Sequence, residues 1–281
     1  MSDRILLIGG ASSGKTHFGA QLLSRLQHGS GILRFRDGET PVNVELFQGV
    51  LQKLGQGLSS DHTGSDVYGE VILPVQNAAS KNIDLVWPDY AGEQIENIAD
   101  LRTMTSHWTG RILQSTHWIL MVRPMLSPTP EDLLTRPSPE IPANSATART
   151  QAQPTQMMSK QTHVVELLQI LRHIKGINSL ARTQSPKILI LLSCWDELGL
   201  NGTAPSVLLK KRLPMLNSYL YANWDEHALI IYGLSALGKN LSPTEVDQEY
   251  QDRGPESFGY IVSPSGSQNH DLTLPIATLA L

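Results

Sequence analysis

Apolar runs of strand length recur along the chain, with helix-length stretches between them. Ile5-Leu6-Leu7-Ile8 is the first, a continuous run of the kind buried on both faces of a sheet, and it ends at Gly9-Gly10. A helix over 15–26 follows. Thr40-Pro41 then precedes apolar residues at Val44, Phe47, Val50, Leu51 and Leu54. That spacing predicts a helix over 41–54, with Thr40 as N-cap and Pro41 at the first helical position. Two strands over 67–75 and 82–87 are joined only by Gln76-Asn77-Ala78-Ala79-Ser80-Lys81, and so short a connection makes them an antiparallel pair. A helix over 105–114, a strand over 117–122, an amphipathic helix over 164–180, a strand over 187–192, a helix over 205–221 and a strand over 228–232 continue the alternation. The expected fold class is α/β, with a six-stranded mostly parallel sheet, one antiparallel strand and helices on both faces. The stretch 239–269 is polar and reads as loop, after which Asp271-Leu272 would cap a short final helix.

Composition adjusts this picture in two places. With 281 residues, 40% hydrophobic and 17% charged, the chain supports one domain over 1–281 with a sizeable core. Residues 31–60 read as a small helical insertion. Residues 124–158 hold seven of the chain's 17 prolines among many Ser, Thr and Gln, and read as a flexible Pro/Ser/Thr-rich insertion. A net charge of −4 gives no basic field, so neither nucleic acid nor a membrane surface is an expected partner. The single cysteine excludes an internal disulfide framework, and the N-terminus lacks a signal-peptide pattern, so the expected location is cytoplasmic.

The candidate chemistry begins where the first strand ends. Gly9-Gly10-Ala11-Ser12-Ser13-Gly14-Lys15-Thr16 fits GxxxxGK[ST], directly after an apolar strand and at the start of a helix. Glycines let the backbone curl so that N–H groups face phosphate oxygens, and the helix adds its N-terminal dipole. Lys15 would reach the terminal phosphates and Thr16 would ligate Mg2+. The nucleotide-binding set here is Gly9, Ala11, Ser12, Ser13, Gly14, Lys15, Thr16 and His17. The strand over 83–87 leads into Pro88-Asp89-Tyr90-Ala91-Gly92. Asp89 would hold the magnesium water shell, and the Gly92 N–H would meet the γ-phosphate while its missing side chain lets the loop swing.

Ser193-Cys194-Trp195-Asp196 follows the 187–192 strand, where Ras-like proteins carry Asn-Lys-x-Asp, and Gly233-Leu234-Ser235-Ala236-Leu237 follows the last strand. In this order, phosphate loop, strand pair, Asp-x-x-Gly, Trp-Asp and Ser-Ala, the chain resembles the TRAFAC-class, Ras-like P-loop GTPases over nearly its whole length. The details WPDYAGEQ and SCWDELG are similar to the bacterial double-GTPase family of conflict and defence systems. The resemblance implies GTP/GDP and Mg2+ as ligands. It implies that Asp196 accepts from the guanine N1–H and 2-amino group, and that Ser235, Ala236 and Leu237 contact the base. Cys194 departs from the family's base-stacking lysine. The resemblance also implies a switch threonine on the metal, with Thr63 favoured over Thr40. Glu93 stands where Ras-like enzymes place their water-orienting glutamine, with Gln94 next, so Glu93, Gln94 and Lys15 are the candidate catalytic residues. A carboxylate beside phosphates is electrostatically awkward, which leaves Glu93 pairing with a cation such as Arg102, or Gln94 taking the role. No arginine near Thr63 serves as an in-cis finger, so hydrolysis is expected to be slow and to need a protein partner: an effector, an activating protein or another GTPase. The competing readings are a P-loop ATPase or small-molecule kinase, and a nucleotide-bound scaffold without turnover.

Overall fold

The computed structural model describes residues 2–60, 70–88, 98, 101–126, 160–177 and 181–281. Thr63, Asp89, Gly92, Glu93, Gln94 and nearly all of the 124–158 insertion lie outside the described residues. The chain runs β1 (Asp3–Gly9), α1 (Lys15–His28), β2 (Arg34–Phe35), α2 (Glu45–Gly55), β3 (Glu70–Gln76) and β4 (Asn82–Pro88). It continues through α3 (Ser106–Gln114), β5 (His117–Val122), α4 (Lys160–Ile174), β6 (Lys187–Ser193), α5 (Pro205–Arg212) and α6 (Pro214–Asn223). β7 (Leu229–Ser235), α7 (Gln248–Arg253), β8 (Tyr260–Val262), β9 (Gln268–Asn269) and α8 (Leu274–Leu279) complete it.

One mixed sheet has the order β2-β3-β4-β1-β5-β6-β7-β8-β9. The α/β class stands, but the described residues form nine strands rather than six, and β3 and β8 both run against the others. The added strands are short and lie at the edges. Alternation along β1 shows why its run is apolar throughout: Ile5 and Leu7 join the core on one face, Leu6 and Ile8 the core on the other. α1, α2 and α8 cover the first face, while α3, α4, α5 and α6 cover the second. On α1, Gly19 leaves room for α2, because a Cβ there would lie 2.2 Å from Phe47 Cζ. Phe18 of α1 and Phe47 of α2 both meet Trp87, each at 5.6 Å between ring centroids, which packs the end of β4 against the helices.

Several expected elements change for identifiable reasons. The helix over 41–54 starts only at Glu45, and Thr40 does not cap it. Val42 instead pairs with Ile72 at the sheet edge, donating at 3.0 Å and accepting at 3.2 Å, and Asn43 takes a positive φ of 55°. The helix over 205–221 is two helices, because Pro214 cannot continue the first one's hydrogen bonding and Leu213 leaves helical geometry. The 239–269 stretch is not all loop: it holds α7, β8 and β9. α7 is capped by Asp247, whose side chain accepts from the Tyr250 N–H at 2.9 Å. The final helix exists, but its N-cap is Thr273, and Asp271, two residues earlier, accepts from the Thr273 N–H instead at 2.8 Å. No helix among the described residues is long and apolar enough to cross a membrane.

Candidate functional site

The carboxyl ends of β1, β5, β6 and β7 converge on one cavity of about 660 Å³. In open α/β sheets this is where ligands bind. Its floor is the loop between β1 and α1. Gly9 must be small, since a Cβ would sit 2.8 Å from Ser13 Oγ and 3.0 Å from the Met121 carbonyl oxygen. Gly14 takes φ 81° and Ser12 φ 55°, a left-handed pair of positions that winds the loop around its own interior. Ser13 Oγ donates to the Gly10 carbonyl at 2.9 Å, and Lys15 Nζ folds back to the carbonyls of Gly9 at 2.8 Å and Gly10 at 2.7 Å. Gly14 precedes α1 and offers no side chain to cap it, and the helix begins at the cavity wall with Lys15, Thr16 and His17. Ala11, Ser12, Ser13, Gly14, Lys15, Thr16 and His17 all line the cavity, with Gly9 directly behind them.

His17 ties this floor to the chain that leads toward Thr63. Its Nε2 accepts from the Ser60 N–H at 3.3 Å and lies 3.1 Å from Ser60 Oγ, while the Ser59 N–H donates to the Ser242 carbonyl at 2.9 Å. Burial pushes the His17 pKa from 6.5 down to about 4, so the ring is neutral and can accept. A histidine whose folded pKa is depressed binds fewer protons than in the unfolded chain between the two values. Its contribution to stability is therefore complete above pH 6.5 and falls away as pH drops toward 4. The expected loss is roughly 3 kcal/mol at pH 4 relative to neutrality. Urea unfolding at several pH values, compared with His17→Gln, measures it; a parallel pH dependence in both proteins would show that His17 is not the group responsible.

The opposite wall carries the candidate base-recognition residues. Cys194 has φ 53° and opens the 3-10 turn Trp195–Leu198. Burial raises its thiol pKa to about 11, so it is neutral. Asp196 Oδ1 accepts from Ser235 Oγ at 2.5 Å, and Ser235 Oγ accepts from the Gly238 N–H at 2.9 Å. These bonds fix the carboxylate relative to the end of β7. Cys194, Asp196, Ala236 and Leu237 line the cavity, whereas Ser235 is buried beneath and holds Asp196 in place. Trp195 points into the core at 1% exposure and lies over Gly233.

Two charged cavity residues, Arg123 and Lys239, escape a reading by motif. Arg123, just past β5, donates from Nε to Glu197 Oε2 at 3.0 Å, bonds Glu197 Oε1 through Nη2, and donates from Nη1 to the Ser12 carbonyl at 3.3 Å. Lys239 lines the far side but is engaged by Asp247 at 2.8 Å and Glu249 at 2.9 Å. The only signal for Arg123 was its place at a strand's carboxyl end. Arg102, the suggested cation for Glu93, pairs with Glu166 at 2.7 Å. His117 and the buried Trp108 and Trp118 belong to the fold away from the cavity.

Solved structures similar to this chain include bacterial selenocysteine-specific elongation factor EF-Sec, at TM-score 0.36 and 11% identity, covering 84% of this chain and 26% of that one. The Saccharomyces cerevisiae Ski7 GTPase-like domain bound to GTP gives TM-score 0.42 and 13% identity, with 88% and 46% covered. The signal recognition particle receptor SRb-GTP/SRX complex from Chaetomium thermophilum gives 0.41 and 14%, with 90% and 98% covered. The chain thus spans less than half the length of the first two. No curated protein matches it in sequence. The Double-GTPase 1 family model matches residues 6–279, nearly the whole chain, and the protein belongs to that family.

Proposed function

We propose that the protein binds GTP and GDP with Mg2+ and works as a slowly hydrolysing, GTP-dependent switch. The observation that carries this reading is one cavity bounded by the phosphate loop on one side and by Asp196 on the other. A carboxylate only accepts, and guanine offers it N1–H and the 2-amino group while adenine offers neither. Ser235 holds that carboxylate in one orientation, so no reorganisation is needed on binding. The donor set suits magnesium, which prefers hard oxygens: the Thr16 hydroxyl lies at the start of α1 on the cavity wall. Thr63 and Asp89 would complete that set. The metal would neutralise charge on the phosphates. Lys15 would bind the terminal phosphates, Gly92 would sense the γ-phosphate, and Glu93 or Gln94 would orient water.

The switch would act by ordering the chain beyond Ser60 and Pro88 when the γ-phosphate is present. His17 and the Ser59 contact provide a fixed point from which the first of these segments leaves. The proposal includes a protein partner (an effector, an activating protein or a second GTPase) and a cytoplasmic place in bacterial conflict or defence systems. Both rest on the family resemblance.

Binding of fluorescent GDP, GTP and ADP analogues with magnesium tests the core of this reading. The wild type is expected to prefer GDP over ADP by at least about 100-fold, because a site built around a polar partner rejects an analogue lacking it. Asp196→Ala is expected to remove most of that preference. Equal binding of ADP and GDP by the wild type would replace the guanine reading with an ATPase or kinase one.

A further inference from the structure

We propose that Arg123 supplies the cation missing from position 194, bolting the base-recognition turn to the phosphate loop and so setting Asp196 at the right distance from the phosphates. The inference rests on the guanine-nucleotide reading above. Ras-like proteins carry lysine where this chain has Cys194, and a buried neutral thiol cannot do a cation's work. The strand order supplies a substitute. β5 lies between β1 and β6, and its register sets Gly9 beside Met121 and Val122 beside Leu192. The next residue, Arg123, therefore emerges between the phosphate loop and the Ser193–Asp196 segment.

The geometry uses what is particular to a guanidinium. Two nitrogens grip both oxygens of the Glu197 carboxylate, one residue past Asp196, and a third donates to the Ser12 carbonyl in the phosphate loop. Lysine has no planar fork and could not hold both partners in this way. Arginine also stays charged at any working pH, and here the paired Glu197 raises its pKa further. Of the three lysine and arginine side chains lining the cavity among the described residues, Lys15 serves the phosphate loop and Lys239 is held by Asp247 and Glu249. Arg123 alone of these three bridges the phosphate loop and the base wall. A nucleotide touches both walls at once, so its affinity depends on their spacing being set before it arrives. Arg123 is in this sense a positioning residue.

The test measures binding of fluorescent GDP and ADP analogues with magnesium to wild type, Arg123→Met, Glu197→Gln and the double variant, with the melting temperature of each nucleotide-free protein. Arg123→Met keeps the aliphatic stem and removes the grip. The expected result is at least a tenfold loss of GDP affinity, a smaller loss for ADP, and a melting temperature within a few degrees of wild type. The double variant is expected to bind GDP no worse than Arg123→Met, because both substitutions cut one linkage. Unchanged GDP affinity in Arg123→Met would overturn the proposal. So would equal losses for GDP and ADP, or losses that add in the double variant. A wild type without preference for GDP over ADP would instead overturn the guanine reading, and this inference with it.

Discussion

A Gly233→Ala substitution is expected to destabilise the protein by roughly 3 kcal/mol and to weaken guanine recognition from beneath the site. Gly233 lies inside β7, paired with Leu192 on one side and Val262 on the other, so its backbone cannot retreat without breaking two ladders. The added methyl would lie 2.4 Å from Cε3 of Trp195, 2.7 Å from Cδ2 and 2.9 Å from Cζ3. These are atoms of a rigid indole in a tightly packed interior, not the end of a flexible chain, so the ring must move as a body. Trp195 stands between Cys194 and Asp196, and rotating it carries the carboxylate away from Ser235. Calorimetry should show a fall of several degrees in melting temperature, and GDP binding should weaken in the fraction that remains folded. Adding Trp195→Leu to Gly233→Ala should restore part of the stability by relieving the contact. A melting temperature unaffected by Gly233→Ala would show that the indole does not pack as described.

Lys15→Met is expected to abolish nucleotide binding with little effect on the fold, the reverse balance. The ammonium bonds the Gly9 and Gly10 carbonyls, polar groups where β1 ends rather than part of the hydrophobic core. Its larger value would come with phosphates in place, where charge-assisted hydrogen bonds are about twice as strong as neutral ones. Losing two such bonds, at roughly 1.5–3 kcal/mol each, corresponds to a drop in affinity of at least about 100-fold. The readout is thermal stabilisation by GDP, which rises with the logarithm of ligand concentration over Kd and should disappear in Lys15→Met. The contrast with Asp196→Ala matters, because that change should cost discrimination between bases more than binding to phosphates. A persistent GDP-induced rise in Lys15→Met would place the phosphates elsewhere than this loop.

What could be read from the chain depended on how locally each feature is encoded. The phosphate loop is a contiguous strand, turn and helix, and part of its demand for glycine is local: Gly9 makes room for Ser13, and Gly14 takes a positive φ within the loop. β1, β5 and β6 were legible because both their faces are buried, which forces an unbroken apolar run. The antiparallel pairing of β3 and β4 followed from a connection too short for a crossover. By contrast, Thr40-Pro41 carries a strong local signal for a helix start, yet pairing of Val42 with Ile72 across the sheet edge outweighs it. Capping is worth about 1 kcal/mol, and two backbone hydrogen bonds together can exceed that. β2, β8 and β9 were illegible because two or three residues at an edge carry no periodicity of their own.

The fold class, the phosphate loop and the order of the candidate binding elements are legible along the chain, because those depend on residues close together in it. Their surroundings come from contacts between distant segments. These bury Ser235 under Asp196, give His17 to Ser60, and bring Arg123 to partners 111 and 74 residues away, Ser12 and Glu197. The strand order accounts for this: β5 enters the sheet between β1 and β6, and no local pattern records which strand ends will meet.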